Sequence, residues 1–213
     1  MEVVRENFAI ILHGGAGNPD KIEENPREVP FLENALDAGW EALVSGKGGE
    51  RAVVEAIKVL EDCEFFDAGY GSYPDEDGNV FMDIGLMRGS GDFISLFGVQ
   101  QVRYPSELAL DLLTPGMERM IVWDANRRSE LDRADKERKA RVGWVASQAD
   151  LISPIALAAS ERYRTKFLNQ KQHEHGTVGC VVRDGHGRIF AGTSTGGIPS
   201  KGRGRIGDSP IIG

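Results

Sequence analysis

The sequence predicts a single mixed α+β domain in which amphipathic helices cover one face of a sheet. Apolar residues recur at helical spacing over residues 26–45 and again over residues 52–62. Short apolar, β-branched runs stand at residues 8–12, 177–182 and 188–193, the last two separated by a glycine-containing turn that reads as a hairpin. A chain of 213 residues suffices for one domain with a sizeable core.

Composition narrows the partners. The 25 basic and 33 acidic side chains leave a net charge of −8, which argues against nucleic acid or an anionic membrane. The first residues lack the apolar stretch of a secretory signal, and no apolar run approaches a membrane span. Cys63 and Cys180 are the only cysteines, so neither a disulfide scaffold nor a zinc site is expected. A soluble, cytoplasmic protein is the simplest expectation.

In chain order, the strand at residues 8–12 runs into His13-Gly14-Gly15-Ala16-Gly17. Such a turn either offers backbone N–H groups to an anion or only reverses the chain. His13 itself reads as a core histidine with its hydrogen bonds met, not as a catalyst. Phe31, Leu32, Ala35, Leu36, Gly39, Trp40 and Leu43 make one helix stripe, with Gly46 as its C-cap. Ala52, Val53, Ala56, Ile57, Val59 and Leu60 make a second, ending near Asp62.

Residues 60–72 read as an irregular loop. The acidic stretch 75–79 is a turn, because Gly78 comes too early for a calcium loop. A helix opens near Tyr104 with Ser106 or a neighbour as its cap. Residues 120–123 are a short strand. Over residues 124–141 both charge signs are mixed, which marks a solvated helix face rather than a nucleic-acid stripe. A last helix spans residues 152–163. The polar linker after it, residues 162–176, carries His173 and His175, a pair without the third ligand a metal site needs.

Thr177 opens an apolar strand after that linker. A threonine there is first of all a β-former. If the Gly176–Thr177 bond broke, Thr177 would carry a hydroxyl nucleophile and a free α-amine, and the amine can serve as the hydroxyl's general base. The return strand leads to Thr193-Ser194-Thr195-Gly196-Gly197, which sets hydroxyls beside the start of the first strand. Arg205 and Asp208 follow, one suited to a carboxylate and the other to an ammonium group. Gly202-Arg203-Gly204-Arg205-Ile206-Gly207 also satisfies a dinucleotide pattern, but it follows no βαβ strand and opens no helix.

Taken in order, His13-Gly14-Gly15-Ala16-Gly17, Gly176-Thr177-Val178-Gly179, Thr193-Ser194-Thr195-Gly196-Gly197 and Gly204-Arg205-Ile206-Gly207-Asp208-Ser209-Pro210 closely resemble the plant-type asparaginase and isoaspartyl-peptidase family of N-terminal-nucleophile hydrolases. The resemblance implies a four-layer αββα sandwich, incomplete here at its C-terminal end because the family continues past Gly213. It implies an α-subunit-like part, residues 1–176, and the start of a β-subunit-like part, residues 177–213. It also implies a homodimer, no catalytic cofactor, and a structural sodium held by the main-chain carbonyls of Leu60, Glu61, Cys63, Phe66, Ala68 and Tyr70.

By the same resemblance, Thr177 attacks the Gly176 carbonyl to free its own amine, then the side-chain amide of an asparaginyl or β-aspartyl substrate. Thr195 hydrogen-bonds the nucleophile. Thr193 either supports that network or is present as a β-former. Arg205 and Asp208 clamp the α-carboxylate and α-amine of the substrate. The expected activity is release of L-aspartate from L-asparagine and isoaspartyl dipeptides. The alternatives are an uncleaved, non-catalytic relative that binds aspartate-like ligands or a partner, and a glycosylasparaginase-type amidase. That branch tends to have Asp at the position of Gly176 and Asn at that of Gly197.

Three departures from the family stand out. Asp67 replaces an Asn and adds a charge near the site. Arg88 replaces an Asp. Residues 90–97 replace a thin, small-residue strand, so Phe93 or Phe97 is expected to crowd the pocket or to alter its specificity.

Overall fold

The computed structural model describes residues 7–15, 27–167 and 176–212. Ala16, Gly17, His173, His175 and the second half of the linker lie outside them. Six strands pair into one sheet: β1 (Ala9–His13), β2 (Met82–Arg88), β3 (Phe93–Val99), β4 (Glu118–Val122), β5 (Gly176–Arg183) and β6 (Ile189–Gly197). Their order across the sheet is β1-β5-β6-β2-β3-β4. Only β3 and β4 run parallel; every other pair is antiparallel.

The β5–β6 hairpin forms where the sequence places it. Gly187 supplies φ +79° in the loop, and the Asp184 carboxylate accepts the N–H groups of His186 and Arg188, each at 2.9 Å. A short carboxylate side chain folding back on its own turn in this way fixes the loop and hence the register. The return strand continues beyond the expected residue 193, to Gly197.

One face of the sheet is apolar and covered. Val178, Cys180, Val182, Ile84, Leu86, Ile94 and Leu96 are all buried there, each worth about 1.5–3 kcal/mol of removed apolar surface at full burial. The helices α1 (Val29–Val44), α2 (Gly49–Glu61) and α3 (Pro105–Leu112) supply the cover. Close approach needs glycine at Gly192, where an added Cβ would stand 2.7 Å from a methyl of Val53 and 3.0 Å from one of Ile57.

Two expectations are corrected. Ser106 is not a cap: Tyr104 holds that position with Pro105 behind it, and the Ser106 hydroxyl donates to the Glu61 carboxylate at 2.6 Å. The charged region 124–141 is two helices, α4 (Ala125–Asp132) and α5 (Lys136–Val142), each opened by an aspartate, Asp124 or Asp135, accepting an N–H three residues on. The last helix, α6 (Pro154–Phe167), runs into the first part of the expected linker.

On the other face, Ile11 and Val122 stand 69% and 66% exposed. The segment after β6 crosses part of this face: Ser95 of β3 donates to the Pro210 carbonyl at 2.5 Å, and Thr193 of β6 to the Ser209 carbonyl at 2.7 Å. Helices on a sheet form two layers of the αββα arrangement. Among the described residues there is no second sheet.

Candidate active site

The register of the hairpin breaks at Thr177. Gly176 pairs with Gly197 and Val178 with Ser194, so one residue of β5 faces both Thr195 and Gly196 of β6. Such a bulge re-aims the side chains around it. Here it turns the Thr195 hydroxyl onto the Gly176 carbonyl, to which it donates at 2.8 Å. The Thr195 oxygen accepts the Gly197 N–H at 2.9 Å and the Thr177 hydroxyl at 3.2 Å. A third hydroxyl, that of Ser209, lies 2.9 Å from the Thr177 oxygen.

These groups line a cavity of about 460 Å³ together with His13, Thr193, Arg205 and Asp208. Arg205 reaches in over β6: one guanidinium nitrogen lies 3.3 Å from where a Cβ on Gly197 would stand. The structure therefore brings Gly176, Thr177, Thr195, Arg205 and Asp208 to one site. Thr193 donates its hydroxyl to the Ser209 carbonyl at 2.7 Å.

Residues 6–213 match the asparaginase family. The chain belongs to that family. It is 34% identical to the plant-type L-asparaginase of Pyrococcus furiosus over 96% of its own length and 68% of the relative's. It is 30% identical to the isoaspartyl peptidase of Salmonella typhimurium, over 97% of this chain and 68% of that one, and 29% to the isoaspartyl peptidase of Escherichia coli, over 96% and 65%. These relatives are hydrolases, and this family member is an enzyme of that kind.

Beneath the site of this asparaginase-family chain lies a buried polar layer. The Lys201 ammonium donates to the carbonyls of Phe81 and Gly196. Asp67 is 3% exposed; one of its oxygens accepts the Tyr73 N–H at 2.9 Å and the other has no partner among the described residues. Burial pushes its carboxyl up to about 8, against the pull of the Tyr73 N–H and of Lys201.

The other departures also have physical accounts. Arg88 pairs with Glu50 at 2.7 Å and Asp92 at 3.5 Å, far from the nucleophile. Phe93 and Phe97 do not line the threonine cavity, because β6 and β2 separate their strand from β5. Phe97 instead borders a second hollow of about 280 Å³ with Phe81, Trp123 and Ile206.

The loop between α2 and β2 turns several carbonyls inward. Those of Cys63 and Phe66 lie 2.9 and 1.9 Å from a Cβ position on Gly71, and that of Glu61 lies 2.2 Å from one on Gly69. The carbonyls of Leu60, Phe66 and Ala68 each already accept an N–H within the loop. Two residues of the site escaped sequence reasoning. Ser209 sat inside a quoted motif without a role. His13 is exposed and lines the cavity, where a core position was expected. The identity of the motif was the signal for the first; for the second the only signal was its position at the end of a strand.

Proposed function

We propose that this protein is an amidohydrolase whose nucleophile is Thr177, exposed by cleavage of its own Gly176–Thr177 bond. It releases L-aspartate from L-asparagine and β-aspartyl dipeptides. The observation that carries this is the chain of hydroxyls from Thr177 through Thr195 to the Gly176 carbonyl, in a cavity shared with Arg205 and Asp208.

In the cleavage step the Thr177 oxygen bonds to the Gly176 carbon, Thr195 stabilises the developing oxyanion, and the peptide C–N bond breaks with the proton going to the new amine. Water then hydrolyses the ester and releases two chains, residues 1–176 and 177–213. The mature site repeats this on substrate. The free α-amine takes the Thr177 proton and returns it to the leaving nitrogen, and water cleaves the aspartyl ester. Arg205 pairs bidentately with the substrate α-carboxylate and Asp208 with its ammonium. That clamp favours a free amino-acid head whose reacting carbonyl is on the side chain, and relatives named for L-asparaginase and isoaspartyl peptidase activity support it.

No cofactor enters these steps. A sodium ion bound in the loop of Glu61, Cys63 and Phe66 would act structurally, by fixing the turn that carries Asp67 beneath Gly176. The exposed apolar face of the sheet suits further subunit contacts, including a homodimer of processed chains, and the two buried free thiols suit a reducing, cytoplasmic compartment.

Intact-mass spectrometry of the purified protein, held at neutral pH, tests the reading. A 37-residue species beginning at Thr177, with aspartate released from β-aspartyl-leucine, is the expected result. A folded chain that stays whole would leave the uncleaved, ligand-binding alternative in its place.

A further inference from the structure

One end of the cavity has no role in these steps. Across the sheet the order is His13 on β1, Thr177 on β5, then Thr195 and Gly197 on β6 with Arg205 above them. A substrate whose aspartyl head is held on the β6 side and whose carbonyl meets Thr177 must send its leaving group towards β1. His13 stands there. It pairs with Gly179, and its side chain lies on the same face as Thr177.

The imidazole folds across onto β5. A Cβ on Gly179 would be 2.4 Å from Nε2, so the missing side chain of Gly179 is what makes room for the ring. Two residues along a strand is about 6.8 Å, which is the spacing between the ring's foothold and Thr177. In a β-aspartyl dipeptide the terminal carboxylate lies roughly 4–5 Å beyond the reacting carbon, and a hydrogen bond adds about 3 Å. The two spans agree. His13 makes no side-chain hydrogen bond among the described residues, so its N–H is available. The other charged groups lining the cavity, Arg205 and Asp208, belong to the head-group end.

We propose that His13 determines leaving-group specificity by binding the C-terminal carboxylate of β-aspartyl dipeptides. This rests on the reading of Thr177 as nucleophile and of Arg205 and Asp208 as the clamp. Asparagine, which releases ammonia, has no carboxylate there to bind.

The test compares β-aspartyl-leucine, β-aspartyl-leucinamide and L-asparagine as substrates of the wild-type chain, His13→Ala and Gly179→Ala. Gly179→Ala displaces the ring while leaving the histidine in place. The expected result is a wild-type preference for the acid over the amide of about tenfold, carried by KM and lost in both variants. The loss on β-aspartyl-leucine should exceed any loss on asparagine by the same factor. Equal losses on all three substrates, or a wild type indifferent to the carboxylate, overturns the proposal.

The mass spectrum of each sample separates this from failure of the nucleophile itself. If no species beginning at Thr177 forms and no aspartate is released, the catalytic reading fails. Calorimetric binding of β-aspartyl-leucine then decides the role of His13. Affinity about tenfold weaker in His13→Ala supports it; unchanged affinity, or no binding to the wild type, sinks it.

Discussion

The Thr195 hydroxyl donates to the Gly176 carbonyl oxygen at 2.8 Å while its own oxygen accepts the Thr177 hydroxyl at 3.2 Å. One side chain thus touches both the oxygen proposed to attack and the carbonyl oxygen that would take up charge. Removing a single donor to such an oxygen costs about 10²–10³ in rate. Thr195→Ala should therefore slow appearance of the 177–213 species about a hundredfold in an intact-mass time course. Thr195→Ser, which keeps the hydroxyl, should recover most of it.

Ser209 approaches Thr177 more closely than Thr195 does, at 2.9 Å. Under the proposed cleavage the α-amine is still an amide in the uncut chain, so a neighbouring hydroxyl would be needed to orient the attacking one. A neutral hydrogen bond is worth about 1 kcal/mol, and 1.4 kcal/mol is about a tenfold change in rate. Ser209→Ala is expected to slow cleavage by roughly tenfold or somewhat less, and Ser209→Thr to restore it. Unchanged cleavage in Ser209→Ala would remove the residue from the mechanism.

Much of this was legible in the sequence, and the reason is local. Thr177 and Thr195 lie on the two arms of one hairpin, so turn chemistry and strand alternation bring them together. Ser209 and His13 were not legible. Ser209 reaches Thr177 only because Ser95 and Thr193, distant in sequence from each other, pin the following segment across the sheet. His13 is brought there by pairing between β1 and β5, which joins residue 13 to residue 179. Ser106 was misread for a related cause: a serine near a helix start looks like a cap, and its true partner, Glu61, is on another helix. The break between α4 and α5 was carried by Asp135, a cap signal lost among neighbouring charges.

Asp83 offers a pH test in the layer under the site. Burial holds its carboxyl above the usual range, although the Gly98 N–H and the nearby Lys201 and Arg205 pull the other way. An unfolded aspartate titrates near 3.9. Above that pH the native chain keeps a proton that the unfolded chain has lost, so stability falls as pH rises until the native group has ionised. Asp83→Asn keeps an acceptor for the Gly98 N–H, now at 2.9 Å from the carboxylate, and cannot ionise. Urea unfolding across pH 4 to 8 should show the wild type losing stability relative to Asp83→Asn from about pH 4 upward. A difference that stays flat, or grows in favour of the wild type, contradicts the assignment.

Gly176 is confined from behind. A Cβ on it would stand 2.3 Å from the Cβ of Asp67 and 3.1 Å from that residue's unpartnered oxygen, and Asp67 is itself buried with its backbone carbonyl holding the Gly196 N–H at 2.9 Å. Neither wall of this slot can retreat without moving the bulge. Gly176→Ala should therefore push the scissile carbonyl off Thr195, as well as costing about 1–3 kcal/mol for overpacking. The two effects are separable. Asp67→Gly in the same chain removes the obstructing Cβ together with its carboxyl and should recover part of the stability lost, read by urea unfolding. Cleavage should return with it if the slot is what positions the carbonyl. A double variant that regains stability and still stays whole would mean that Gly176 matters for its own backbone freedom and not for the wall behind it.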